Sequence, residues 1–328
     1  MSRTLNVRHE TWPIRGSFRI SRGARTEADV VVVEISDGRA IGRGECVPYP
    51  RYGESVASVI GQIEALRADI IAGLTRADLQ SRLAAGAARN ALDCALLDGE
   101  AKASKKSAAD LLGLPAPKAV RTAFTLSLDA PDAMAKAATV AALSYRTIKL
   151  KVGGAGDLER VETVRRAAPG ARLIADANEG WSVQDLNRLT PELKRLGVAL
   201  LEQPLKAAED EALVDFDSPI PLCADESCHT RADLPRLINR YSHVNIKLDK
   251  AGGLTEAVAL AREAAASGLK LMVGSMVSTS LGIAPALLLA PLVEFVDLDG
   301  ALLLDRDRTP GLSYRGDEIC PPTAELWG

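Results

Sequence analysis

Five charged residues recur at nearly even steps through the second half of the chain, each closing a short apolar run. Lys151 ends TIKLK, Asp176 lies in LIADAN, Glu202 in ALLEQP, Asp225 in PLCADE and Lys247 in VNIKLDK. The steps between them are 25, 26, 23 and 22 residues. Three carboxylates with no histidine or thiolate suit a hard cation, and Mg²⁺ that keeps waters or takes substrate oxygens suits best. An amine on either side of that cation suits proton transfer. A lysine base must be neutral, so its pKa has to fall from about 10.4 towards about 7–8. A nearby cation and a second ammonium, here Lys149, push in that direction. Removing a proton α to a bound carboxylate would create an enediolate dianion for the cation and the ammonium groups to stabilise. Taken singly, each carboxylate could be a helix cap or a surface ion pair, and the lysines could simply neutralise the acids. Five in register argue for one site.

The spacing also dictates the scaffold. Each step is one strand, one loop, one helix and one return loop, and that repetition favours a parallel sheet. Eight strands are expected, at about 122–128, 146–151, 172–177, 198–203, 220–224, 243–248, 269–274 and 294–298. They predict an α/β fold with a (β/α)₈-type barrel, in which the C-terminal strand ends share one face and carry the catalytic groups. Lys149 and Lys151 are two apart on a strand and point the same way. So do Asp297 and Asp299 in EFVDLDG, an acidic pair in need of a cation.

The first third differs. Residues 3–12 and 28–35 read as strands, ISDGRAIGRGE as a hairpin turning at Asp37-Gly38, and 55–72, 75–84 and 86–103 as helices. This predicts an α+β capping domain over residues 1–115, completed by the tail 305–328, and a barrel over 116–304. The loops after the barrel strands are short, so the lid over the site is expected from the N-terminal module.

A net charge of −3 gives no basic footprint for nucleic acid and no polybasic membrane patch. The start MSRTLNVRHETWP lacks the apolar core of a signal peptide, and LGIAPALLLAPLVEF is too short and too Pro-broken to span a bilayer. A cytoplasmic location is expected, and a homo-oligomer stays open. Five cysteines without a CxxC argue against a disulfide framework or structural zinc, even though Cys223 and Cys228 flank Asp225. His9 and His243 lie away from the site, and His229, just past DESC, reads as loop structure.

The chain resembles the enolase superfamily, and within it the dipeptide epimerases. The signatures are KLK (149–151), DAN (176–178), EQP (202–204), DES (225–227), IKLDKAGG (246–253) and DLD (297–299), with WP (12–13), GECVPYPRYGES (44–55) and GAARNALDCAL (86–96) in the capping domain. The barrel is then the modified TIM barrel of enolase-like proteins. KxK plus a lysine on the sixth strand is shared with muconate cycloisomerases and o-succinylbenzoate synthases; DxD on the eighth is the specific part. The resemblance implies Asp176, Glu202 and Asp225 as ligands of one Mg²⁺ per subunit, and Lys151 and Lys247 as bases on opposite faces of the substrate. It implies that Asp297 and Asp299 receive a substrate α-ammonium, Lys149 binds and tunes, Thr125 contacts substrate, and Ser275 and Met276 line the pocket. Its nearest subgroup acts on L-Ala-D/L-Glu, a peptidoglycan fragment, which implies a cytoplasmic role in murein peptide recycling. There a capping-domain base meets the Glu side chain, and Arg25, rather than Arg22, in ISRGARTEA is the better match. The alternatives are a cycloisomerase or lyase of the same fold and a noncatalytic ligand-binding barrel.

Overall fold

The computed structural model describes residues 3–328. An antiparallel sheet opens the chain, in the order β1 (Thr4–Ile20), β2 (Gly23–Ser36) and β3 (Ile41–Cys46). Asp37–Ala40 form the turn between β2 and β3, closed by a hydrogen bond from Asp37 N to Ala40 O. β1 and β2 are much longer than their apolar patterns predict. Their pairing shifts between Pro13 and Phe18 and then continues to Ile20 opposite Gly23. The segment read as a loop around Arg25 is therefore the tip of a long hairpin, built of exposed residues that show no apolar alternation.

Helices Val56–Ala65, Arg67–Ile71, Arg76–Arg82 and Ala87–Ser104 follow. The last packs closely on β3, because Gly42 and Gly44 leave room for its backbone. A Cβ at Gly44 would lie 2.1 Å from Ala91 O, and one at Gly42 would lie 2.0 Å from Ala95 O. Any side chain at either position would push the helix off the sheet.

β4 (Val120–Arg121) then leads into the barrel strands, which are β5 (Phe124–Leu126), β6 (Thr147–Lys151), β7 (Arg172–Asp176), β8 (Val198–Glu202), β9 (Leu222–Ala224), β10 (His243–Ile246), β11 (Lys270–Gly274) and β12 (Phe295–Asp297). These eight are parallel neighbours in chain order. Ala123 N donates to Val296 O at 2.8 Å, which brings the first and last strands together into a near-closed barrel. Helices Pro131–Ala141, Asp157–Ala167, Val183–Arg195 and Leu254–Ala266 cover the outside. Between β9 and β10 there are only two short helical turns, Arg231–Asp233 and Leu234–Leu237.

Alternation along the strands makes two cores. Outward residues such as Leu150, Leu173, Leu201, Val244 and Val273 pack with the helices. Inward residues Ala123, Ile174, Leu200, Cys223, Met272 and Phe295 form a separate plug inside the barrel. A residue two further along a strand faces the same way. Ile174, Leu200, Cys223 and Phe295 therefore place Asp176, Glu202, Asp225 and Asp297 on the inward side above the plug.

The tail returns to both parts of the molecule. β13 (Tyr314–Arg315) and β14 (Glu318–Ile319) pair with each other, and β14 pairs with β4. Arg308 spans Glu10 and Glu45 at 2.7 Å each, and Trp327 Nε1 donates to Cys94 O at 3.2 Å.

Candidate active site

Register sets the level of each charged group at the barrel mouth. Lys149 stands beside Ile174, and Lys151 stands beside Asp176, which in turn pairs with Glu202. Lys149 is thus one layer deeper and reaches upward into the acids. Its Nζ lies 2.7 Å from Glu202 Oε2, 2.7 Å from Asp297 Oδ2 and 3.0 Å from Asp176 Oδ2. Lys151 Nζ lies 2.6 Å from Asp176 Oδ2, and Lys247 Nζ lies 2.7 Å from Asp225 Oδ2.

A cavity of about 450 Å³ opens above these groups. Lys149, Lys151, Lys247 and Asp225 line its floor. Thr125, Ser275, Met276, Asp297 and Asp299 line one wall, and Arg25 stands on the hairpin side. Asp176 and Glu202 do not reach the cavity; both are fully buried beneath the lysines. The hairpin supplies Phe18, Ile20 and Arg22 as well, so the N-terminal sheet does form part of the roof.

Burial and charge work against each other here. Burial raises the Asp176 carboxyl, but Lys149 and Lys151 outweigh it and hold the group below its ordinary value. Lys247 and Lys250 do the same for Asp225. Glu202 is left worst compensated and is pushed up to about 7 by burial and by Asp176. Lys247 and Lys149 are raised while the carboxylates contact them. Burial works to lower Lys247, but Asp225 outweighs it and raises the amine above its ordinary value, and Asp176, Asp297 and Glu202 do the same to Lys149. The reason is geometric: Lys149 and Lys247 lie in direct contact with buried carboxylates.

Among the described residues, no three His, Cys, Asp or Glu side chains converge as a finished metal site. The carboxylates are held on lysines instead, Asp176 on Lys149 and Lys151, Glu202 on Lys149, and Asp225 on Lys247 and Lys250. The donor set still fits a hard cation, since it is all oxygen and comes from three adjacent strands. Glu202 Oε2 and Asp225 Oδ1 accept no hydrogen bond and face only the ammonium groups of Lys149 and Lys250.

Several supporting residues escaped the sequence reading. Lys250 is fully buried, with Nζ 2.7 Å from Asp225 Oδ1 and donating to Asn245 O at 3.0 Å. Asn245 Nδ2 donates to Glu202 Oε1 at 2.8 Å, and Asn178 N to Asp176 Oδ1 at 2.9 Å. Gln203 Oε1 accepts from the Asp225 and Ser227 amides. Asn245 stands two residues before Lys247, a same-face spacing that could have marked it. His229 packs edge-on against Tyr52, and burial lowers its pKa to about 4. Cys223 and Cys228 are buried free thiols, pushed upward by burial.

Comparison with known proteins matches this architecture along its length. Residues 2–113 match the N-terminal domain family of mandelate racemase and muconate lactonizing enzyme, and residues 132–313 match the family described as enolase C-terminal domain-like. The L-Ala-D/L-Glu epimerase of Escherichia coli (strain K12) is 50% identical over 318 residues, covering 97% of this chain and 99% of that protein. An N-acetyl-D-glutamate racemase from Pseudoalteromonas sp is 46% identical over 91% of this chain and 95% of its own. A solved structure from Agrobacterium tumefaciens, an enolase family member with homology to dipeptide epimerases, holds sodium and L-Ala-L-Glu with an ordered loop. It shares 50% identity, covers 99% of this chain and 100% of that one, and superposes with a TM-score of 0.97. A dipeptide epimerase from Cytophaga hutchinsonii, complexed with Mg and D-Ala-L-Val, is 29% identical with a TM-score of 0.91, over 98% of this chain and 94% of that one. The chain belongs to the enolase superfamily and carries both domains of its mandelate racemase and muconate lactonizing branch.

Proposed function

We propose that this protein is a Mg²⁺-dependent dipeptide epimerase that interconverts L-Ala-L-Glu and L-Ala-D-Glu at the Glu α-carbon, with one ion per subunit. The observation that carries the reading is the placement of Lys151 and Lys247. They line one cavity at the ends of strands β6 and β10, four apart in an eight-stranded near-barrel and so half a turn from each other. Two bases on opposite sides of one carbon are what inversion by proton transfer needs.

Asp176, Glu202 and Asp225 would hold the ion, which when bound supplies Lewis-acid polarisation of the carboxylate beside the reacting carbon. The lysine that starts neutral takes the α-proton onto Nζ, and the ammonium opposite returns one to the other face. Their ion pairs with Asp176 and Asp225 show which carboxylates must give up a lysine for that neutral form to arise. Lys149, held charged by three carboxylates, serves as a fixed positive group. Asp299, with Asp297 beside it, receives the α-ammonium of the N-terminal residue. Thr125, Ser275 and Met276 shape the walls, and Arg25 takes the Glu side-chain carboxylate. Residues 1–115 with 305–328 then read the side chain, and residues 116–304 carry the chemistry. The substrate, a fragment of peptidoglycan, places the reaction in murein peptide recycling in the cytoplasm; no helix among the described residues is long and apolar enough to cross a membrane.

A second reading, racemisation of an N-acylated glutamate, draws on the 46% identical racemase. The buried acidic pair speaks against it, since an N-acyl group brings no cation. Polarimetry with L-Ala-L-Glu, L-Ala-L-Val and N-acetyl-L-Glu separates the readings. L-Ala-L-Glu should change fastest. No change with any L-Ala-L-Xaa dipeptide would overturn the proposal, and faster turnover of N-acetyl-L-Glu would transfer it to the second reading. A cycloisomerase or lyase would instead tolerate Asp297→Asn.

A further inference from the structure

Arg22 stands at the turn of the β1–β2 hairpin, yet its closest partners lie on the barrel. Nη2 is 2.8 Å from Glu226 Oε1, and Nη1 donates to Asn178 O at 2.7 Å and to Glu179 Oε2 at 3.2 Å. These partners follow closely on Asp176 and Asp225, on the loops after β7 and β9. Ser21 Oγ adds a hydrogen bond to Asn178 O at 2.8 Å.

The seat for this turn is cut by glycine. A Cβ on Gly153 would lie 2.5 Å from Ser21 Cβ, and one on Gly180 would lie 3.0 Å from it. Asn178 and Glu179 both hold the left-handed conformation, at φ 43° and 66°. Side-chain-bearing residues keep that conformation only where their surroundings enforce it. Fastened this way, the hairpin sets the Phe18 ring 5.7 Å from Lys151 Nζ and Arg25 at the cavity wall.

We propose that Arg22 is the positioning residue that fastens the hairpin over the site, with Glu226 as its anchor. A guanidinium presents a rigid planar fork of donors that holds two loops in fixed geometry, where a lysine ammonium is a point charge on a flexible stem. The Glu226 side chain is 1% exposed, and Arg22 is the only cation within ion-pair distance of it among the described residues. Glu226 Oε2 has no hydrogen-bond partner, and Oε1 otherwise accepts only from Asn178 Nδ2 at 3.3 Å. Releasing the hairpin would leave this carboxylate buried and uncompensated beside Asp225, so closure is favoured. Arg22 acts through Phe18 and Arg25 and itself touches no reacting atom. What the hairpin covers rests on the epimerase reading, whereas the fastening can be tested without turnover.

The test is backbone hydrogen exchange at residues 17–27 of the full-length protein in Mg²⁺ buffer, with and without L-Ala-L-Glu. Wild type, Arg22→Met, Arg22→Lys, Glu226→Gln and the Arg22→Met/Glu226→Gln double variant are compared. Each of Arg22→Met and Glu226→Gln should speed exchange at these residues by about tenfold, with the double no faster than either, because one interaction is being removed. Arg22→Lys should fall between wild type and Arg22→Met. In the same variants KM should rise far more than kcat falls. Unchanged exchange in Arg22→Met, or two single effects that multiply in the double, would overturn the proposal. So would a KM defect for L-Ala-L-Glu that spares L-Ala-L-Val without faster exchange at residues 17–27, which would make Arg22 a side-chain contact. If wild type turns over no dipeptide, the epimerase reading fails while the exchange data still decide the role of Arg22.

Discussion

Lys149 pairs with Asp297 at 2.7 Å and so uses one of the two acidic groups at the end of β12. Asp299 has no ion pair among the described residues; it accepts the Thr125 amide at 2.6 Å. Burial, reinforced by Asp297, pushes its carboxyl up to about 7. The two aspartates of the DLD motif are therefore unequal, and a substrate ammonium arriving here finds its free partner in Asp299.

Asp299→Asn should raise KM for L-Ala-L-Glu by about tenfold or more, each tenfold being about 1.4 kcal/mol. Turnover of N-acetyl-L-Glu, where present, should not suffer. Asp297→Asn should do more damage, lowering kcat as well, because it also releases Lys149 towards Asp176 and Glu202. Steady-state kinetics on both variants check this, and equal effects would contradict the assigned inequality.

Lys151→Ala and Lys247→Ala should each abolish epimerisation, a loss of at least about a hundredfold for removal of an acid–base group. One of them should still exchange the α-proton of a single diastereomer, because the opposite lysine remains. NMR of L-Ala-L-Glu and L-Ala-D-Glu incubated separately in D₂O gives the answer. Full activity in either variant would remove that lysine from the mechanism.

Arg25 carries no ion pair among the described residues and lies over the Tyr49 ring at 5.1 Å. Arg25→Met should cut the preference for L-Ala-L-Glu over L-Ala-L-Val by about tenfold, the loss of one charge-assisted contact. Ratios of kcat/KM measure it. An unchanged ratio would mean that another residue reads the side chain.

The turn after Lys247 carries a pH effect on stability. Asp249 is partly exposed, yet the loss of solvent around its carboxyl pushes it up to about 7, with Glu54 and Glu45 adding to the shift, while the Val47 amide and Asn90 oppose it. Unfolded aspartate titrates near about 3.9. A carboxyl raised on folding gives its full stabilising effect below that value and loses it as pH rises through about 7. Asp249→Asn can keep both hydrogen bonds at Oδ1 without a charge. Its melting temperature should match wild type below about pH 4 and exceed it by a growing margin as pH rises to about 8; parallel pH curves would contradict the assignment.

Much of the site was legible in the sequence because strand alternation and near-constant repeat length are one-dimensional signals. Asp176, Glu202, Asp225 and Asp297 all face inward because each stands two residues beyond an inward apolar residue. What escaped depends on distance in space. The extent of the β1–β2 hairpin was hidden, since Ile14 is the one buried residue over 13–27 and the pairing there is sustained by backbone hydrogen bonds. Lys250 looked like one more lysine in IKLDKAGG until the turn after β10 aimed it at Asp225. The carboxylates that touch Lys149 and Lys247 also come from other strands, which spacing along the chain does not reveal.

The most direct test of the central claim is deuterium wash-in. The protein is incubated with L-Ala-L-Glu and Mg²⁺ in D₂O, with a parallel sample stripped by EDTA, and the Glu α-proton is followed by NMR. Two lysines sharing one carbon predict that the α-proton signal falls as L-Ala-D-Glu appears, that deuterium enters only at the Glu α-carbon, and that EDTA stops both until Mg²⁺ is restored. Retention of the α-proton with every L-Ala-L-Xaa dipeptide tried, in protein shown to bind Mg²⁺, would contradict it.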